Sequence, residues 1–311
     1  MKFAMVFPGQ GSQSVGMLAA YGEARAVRDT LAEASQILGQ DIGKLVAEGP
    51  AEELNSTVNT QPVMVTAGIC AWRLWRELGG AEPSLLAGHS LGEYTALVAA
   101  GALSFSDALA LVRLRARAMQ EAVPQGRGAM AAILGLEDDA VRAACAEAAA
   151  GEICEAVNFN APSQVVIAGH AEAVKRAMEA AKARGAKRAV PLPVSAPFHS
   201  SLMAPAAAKL REALSGIKVS APRIPVIHNV DAKGRTEPED IRKALVSQAD
   251  HAVRWVECIR EVAAQGATHV FECGPGKVLA PLTRRIAEGL QGLALADRAS
   301  LDSGVQLSKG A

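Results

Sequence analysis

The sequence has no excess of charge of either sign. Its 32 Lys and Arg are matched by 32 Asp and Glu dispersed along the chain, and without a basic excess there is no electrostatic footprint for nucleic acid. It has no long hydrophobic run either. Half of the residues are hydrophobic, yet no stretch approaches the roughly 20 apolar residues that span a bilayer, so neither nucleic acid nor membrane is expected as a partner. A secretory leader is not expected, because MKFAMVFPGQGSQ reaches Pro8 and Gly9 too early. The five cysteines (Cys70, Cys145, Cys154, Cys258 and Cys273) are odd in number, scattered and free of any C-x-x-C spacing. They fit small core residues in a reduced cytoplasm. Internal repeats and low-complexity tracts are also missing, and only the final 15 or so residues look expendable.

What is present alternates between strand and helix. Lys2 to Phe7 reads as a buried strand. Residues 61–78 read as a helix, with Met64, Ala67, Ala71, Leu74 and Leu78 on one face and Gly79-Gly80 closing it. Ser84 to Ala87 is a short strand, Gly88 to Gly92 a sharp turn, and Glu93 opens another helix. From Ala129 to Arg188 the order changes to β-α-β-β-α-β, the ferredoxin-like order. Strand patterns of the first kind resume at Ile224 to Ile227 and His269 to Glu272. A chain of 311 residues can hold a large α/β domain carrying a smaller one. The expected division is a discontinuous catalytic domain, 1–125 and 197–311, with a ferredoxin-like insert at 126–196.

AGHSLGEY (residues 87–94) holds Ser90 in a G-x-S-x-G pattern with strand before it and helix after it, the context of a nucleophile elbow. The flanking glycines fit a turn too tight for a Cβ, and a helix N-terminus there favours developing negative charge. The alternative is a solvated serine in a glycine-flanked turn. A serine needs a base, and there are six histidines. His89 adjoins Ser90 and should point elsewhere; His228 and His269 end strand-like runs; His170 edges the insert; His251 lies in a polar stretch. His199, in APFHSS where the chain re-enters the large domain, follows the nucleophile in the order that α/β serine enzymes use, though a loop histidine can be incidental. An ordinary imidazole at this position predicts acylation that rises with pH through its titration.

In ALALVRLRARAMQEAV (108–123), Arg113, Arg117 and Glu121 form an i, i+4 ladder on a solvated face. Arg115 points the other way, between Leu111 and Met119. It requires an anion: an internal Asp or Glu, or a carboxylate that arrives with the substrate. The loop PGQGSQS (8–14) fails the dinucleotide fingerprint because residue 14 is Ser, and GPGK (274–277) lacks the remainder of a P-loop. The first loop can instead offer a backbone N–H to an oxyanion, opposite that of Leu91, the residue after the nucleophile.

FPGQGSQ, GHSLGEY, LRARAMQ, NFNAPSQVVIAG, APFHSSLM and ECGPGKVL occur in this order over almost the whole chain, and together they resemble the malonyl-CoA:acyl carrier protein transacylases of bacterial fatty acid synthesis. The resemblance implies an α/β-hydrolase-like large domain with a ferredoxin-like insert. It implies Ser90 as acyl acceptor, His199 as base, Arg115 as clamp for the malonyl carboxylate, and Gln10 with Leu91 as the oxyanion hole. Phe198 and Asn160 follow as substrate-binding residues, Phe198 matching malonyl-selective relatives. Gln248 matches the glutamine whose oxygen orients the histidine in place of a carboxylate, in a segment that departs from the family pattern with Ala252 where proline is common. Malonyl-CoA and acyl carrier protein are the implied partners of a cytoplasmic monomer with no metal or bound cofactor. Two other readings share part of this set: a serine esterase or thioesterase would use Ser90 and His199 but not Arg115, and a non-catalytic subunit would need none of them. An acyltransferase of polyketide or malonate-decarboxylating metabolism would share it all.

Overall fold

A computed structural model describes residues 1–194 and 196–310; Ser195 and Ala311, which the expected domain limits include, lie outside the described residues. Among the described residues, nine strands form two sheets. β1 (Phe3–Phe7), β2 (Leu85–Gly88), β7 (Val226–Ile227), β8 (His269–Glu272) and β9 (Gln291–Ala294) make a parallel sheet in the order β7-β2-β1-β8-β9. β1 is central and every residue of FAMVF is buried, because a strand flanked by parallel neighbours is covered on both faces and reads as a continuous apolar run.

β3 (Gly128–Leu134), β4 (Cys154–Ala161), β5 (Gln164–His170) and β6 (Arg188–Pro191) make an antiparallel sheet in the order β4-β5-β3-β6. With helices Asp138–Ala149 and Ala171–Ala183, this is the ferredoxin-like arrangement expected from the element order. The two units are joined along an edge: Val253 exchanges backbone hydrogen bonds with the β4 residues on either side of Asn158, Phe159 N–H donating to Val253 O at 3.0 Å and Val253 N–H to Val157 O at 2.8 Å. β6 ends at Pro191. Pro191 and Pro193 cannot donate to a ladder, and the chain leaves the sheet there.

The helix expected at 61–78 spans Thr57–Glu77. Its first turn is polar, so the apolar period that marks it in sequence begins only afterward. No helix among the described residues is long and apolar enough to cross a membrane. The expected charge ladder on helix Phe105–Glu121 does not form: Arg113 turns in to Leu38 O and the Gln40 side chain, both at 2.7 Å, and Glu121 pairs with Lys209. The last residues are not expendable. Asp297 caps helix Arg298–Ser308 in a reciprocal capping box, Leu301 and Val305 are buried, and Ala81 N–H donates to Ser308 Oγ at 3.2 Å. A terminal segment without strong periodicity carries little signal of the groove that will receive it. Leu301→Ala is expected to cost about 2–5 kcal/mol of stability, as for other buried leucines, measured as a lower denaturation midpoint at unchanged slope. A midpoint equal to that of the parent would show the helix to be an appendage.

Candidate active site

The turn after β2 is as tight as its glycines suggest. A Cβ on Gly88 would sit 1.9 Å from the Gly92 carbonyl carbon, and one on Gly92 would sit 2.2 Å from Phe7 O. Between them Ser90 adopts φ +52°, a left-handed conformation that costs a non-glycine residue about 1–3 kcal/mol and persists only where its surroundings enforce it. Asn229, just past the end of β7, enforces it by donating from Nδ2 to Gly88 O and accepting from Ser90 N–H, both at 2.8 Å. That occupies the Ser90 N–H. The next one, on Leu91, donates to no acceptor among the described residues, and neither does the N–H of Gln10. The Gln10 loop lies against the elbow, since a Cβ on Gly9 would come within 2.7 Å of His89 O. Two free donors thus flank the serine at the start of helix Gly92–Ala99.

Ser90 Oγ lies 2.7 Å from His199 Nε2, and His199 Nδ1 lies 2.8 Å from the main-chain oxygen of Gln248. A carbonyl can only accept, so Nδ1 carries the proton and Nε2 presents its lone pair to the serine hydroxyl. His199 also has a positive φ, +63°, a second constrained residue facing the first. Burial, and then the positive charge of Arg115, push its pKa down from 6.5 to about 3. Both influences place its titration below that of an ordinary imidazole. None of the other histidines bonds to Ser90: His89 lines the same cavity but its Nε2 is 2.7 Å from Asn160 Oδ1, with the Trp255 ring tilted against it, His228 is buried against Glu93, His170 accepts from Ile153 N–H, and His251 and His269 bond to their immediate neighbours.

Arg115 is 2% exposed. Its Nη1 donates to Gln61 Oε1 at 2.8 Å, and its Nη2 to Gln248 Oε1 at 3.0 Å and to Ser90 Oγ at 3.1 Å. No carboxylate among the described residues pairs with it, and its Nε has no partner. The internal ion pair, one of the two alternatives raised by the sequence, is therefore not formed. Burial pulls its pKa below the ordinary value, while the nearby Tyr94 and Glu93 favour the charged form. Two amide oxygens solvate the cation without neutralising it.

These groups open on a cavity of about 190 Å³ between the two sheets. The large unit supplies Gln10, Ser90, Arg115 and His199, and an apolar wall of Met130, Val166, Leu192 and Val194 comes from the β3 to β6 region, with Phe198 beside it. Every residue expected at the site lines this cavity, Asn160 held there by His89, except Gln248, whose contribution comes from behind through His199 and Arg115. Sequence reasoning missed Gln61, Asn229 and Glu93. Asn229 had a usable signal, its place at the carboxyl end of a strand next to β2, where sites in open α/β sheets gather.

The parallel sheet with a serine at the turn after β2, a paired histidine and two free N–H groups is an arrangement suited to acyl transfer or hydrolysis, and a model of the acyl transferase domain matches residues 4–294. The chain belongs to the acyl transferase family, within it to the malonyl CoA-acyl carrier protein transacylases. It is 54% identical over 303 residues to the malonyl CoA-acyl carrier protein transacylase of Salmonella typhimurium, covering 97% of this chain and 98% of that one. A crystal structure of the acyl-carrier-protein S-malonyltransferase of Burkholderia pseudomallei superposes with a TM-score of 0.97 at 63% identity, over 98% of this chain and 100% of that one. A malonyl-transacylase in complex with its holo type II polyketide acyl-carrier protein also gives 0.97, at 52% identity and over 99% and 100% of the two chains.

Proposed function

We propose that this chain transfers the malonyl group of malonyl-CoA to the phosphopantetheine thiol of acyl carrier protein through a malonyl ester on Ser90, supplying fatty acid synthesis. Ser90 gives its proton to His199 Nε2 as Oγ attacks the thioester carbonyl. The oxyanion is held by the Leu91 and Gln10 N–H groups, which need no reorientation to receive it. The C–S bond breaks and His199 returns the proton to the CoA sulfur. A carrier thiol then gives its proton to His199, its sulfur attacks the ester carbonyl, and Ser90 Oγ leaves with the proton. Every group that these steps use belongs to the chain or to its two substrates.

The depressed basicity of His199 favours the return of the proton to the departing thiolate. A thiolate is a modest base, and an imidazolium that is buried and repelled by Arg115 gives its proton up readily, the Gln248 carbonyl only partly offsetting this. A malonyl carboxylate on Arg115 would relieve that repulsion and make His199 a better base when the correct acyl group is present. The division into 1–125 with 197–311 and an insert at 126–196 is supported by the two separate sheets. Five free, buried thiols fit a cytoplasmic protein.

The observation that carries the reading is Arg115, buried beside the nucleophile with no carboxylate of its own. Arg115→Ala is expected to lower malonyl transfer by about 2–5 kcal/mol, the cost of stranding one partner of a desolvated pair, and to leave acetyl transfer unchanged or improved. The measurement is the ratio of kcat/KM for malonyl-CoA and acetyl-CoA, with thermal unfolding alongside. A structural arginine predicts a lower Tm with both donors impaired alike, and an unchanged ratio would overturn the clamp.

A further inference from the structure

Glu93, in the first turn of helix Gly92–Ala99, is fully buried beneath the elbow and does not line the cavity. Its Oε1 lies 2.7 Å from His228 Nδ1, while its Oε2 accepts from Asn229 N–H at 2.9 Å and from Gln248 Nε2 at 3.0 Å. The same Gln248 Nε2 donates to Ser90 O at 2.9 Å. An amide has one donor end and one acceptor end. With Nε2 committed to Glu93 and Ser90 O, the only orientation left for Gln248 presents Oε1 to Arg115 Nη2, at 3.0 Å.

We propose that Glu93 is the positioning residue for acyl-group selectivity: through the Gln248 side chain it fixes an oxygen behind Arg115 and so holds the guanidinium toward Ser90 and the acyl pocket. The inference rests on Arg115 being the carboxylate clamp. Were the Gln248 amide to turn over, its NH₂ would face the Arg115 N–H, donor against donor, and the guanidinium would have to withdraw. Gln61 would then be its sole amide acceptor, on Nη1. The Gln248 main-chain oxygen that orients His199 is unaffected by rotation of the side chain. Loss of the Glu93–Gln248 contact therefore acts on the choice of acyl group more than on the proton transfer.

Glu93→Met removes the acceptor at similar size, and Gln248→Met removes the amide while leaving its main-chain oxygen. Each is expected to lower the malonyl-to-acetyl ratio of kcat/KM by roughly tenfold or more, as for loss of a hydrogen bond to a charged group. The double variant should fall no further than either single one, because both act on one contact. Equal losses for the two donors would mark Glu93 as merely structural, and additive losses would mean that it does not act through Gln248; either result overturns the proposal. If Glu93→Met does not fold, Gln248→Met decides alone, and a wild-type ratio in it overturns the proposal. Arg115→Ala is measured in parallel. A collapsed ratio there with unchanged ratios in the other variants leaves the clamp standing and removes only the role of Glu93, whereas an unchanged ratio in Arg115→Ala removes both.

Discussion

Incubated with malonyl-CoA alone, the protein is expected to gain a single malonyl group on the peptide that holds Ser90, and Ser90→Ala is expected to gain none. The loss in transfer rate should be at least about 10⁴-fold, since removing the nucleophile of a serine site leaves only binding and the oxyanion donors. Intact mass and peptide mapping check the adduct. All five cysteines are buried and none lines the cavity, so an adduct on a cysteine peptide would overturn the assignment. A covalent intermediate also requires ping-pong kinetics. Double-reciprocal plots at several carrier concentrations should be parallel, and intersecting lines would point to direct transfer in a ternary complex. Free malonate appearing as the main product in the presence of carrier protein would favour a hydrolase.

His199→Ala should lower the acylation rate by roughly 10²–10⁴, the usual contribution of a positioned base. The pH dependence distinguishes a buried base from an ordinary one. The neutral ring accepts the serine proton, so the rate falls as pH drops below the pKa of His199 and is flat above it. With that pKa pushed down to about 3 by burial and by Arg115, the titration of His199 in the free enzyme contributes nothing to kcat/KM between about pH 5 and 8, against an unperturbed imidazole near 6.5. Arg115→Ala removes the largest depressing influence after burial and should shift the acid limb upward. An acid limb near 6.5 in the wild type would mean that His199 is hydrated or is not the base. A larger loss in His89→Ala than in His199→Ala would transfer the role to the histidine now seen bonded to Asn160.

What could be read from the sequence was local. The elbow is a matter of five residues between an apolar strand and a helix, and the ferredoxin-like insert of element order within about 70 residues. The inward phase of Arg115 on its helix is a matter of the 3.6-residue period. Each is set by covalent geometry and short-range sterics, so the chain spells it out. The tertiary structure alone decided what Arg115 meets. Its partners, Gln61, Ser90 and Gln248, are 54, 25 and 133 residues away, and the missing carboxylate is a property of how three helices and a turn converge. The same holds for Asn229, which fastens the elbow from 139 residues away, and for Glu93, an unremarkable acidic residue in sequence whose two oxygens become the hub for His228, Asn229 and Gln248. The basicity of His199 was beyond reach for the same reason. A pKa depends on solvent exclusion and on a charge brought close by folding, and neither is written in the residues beside it.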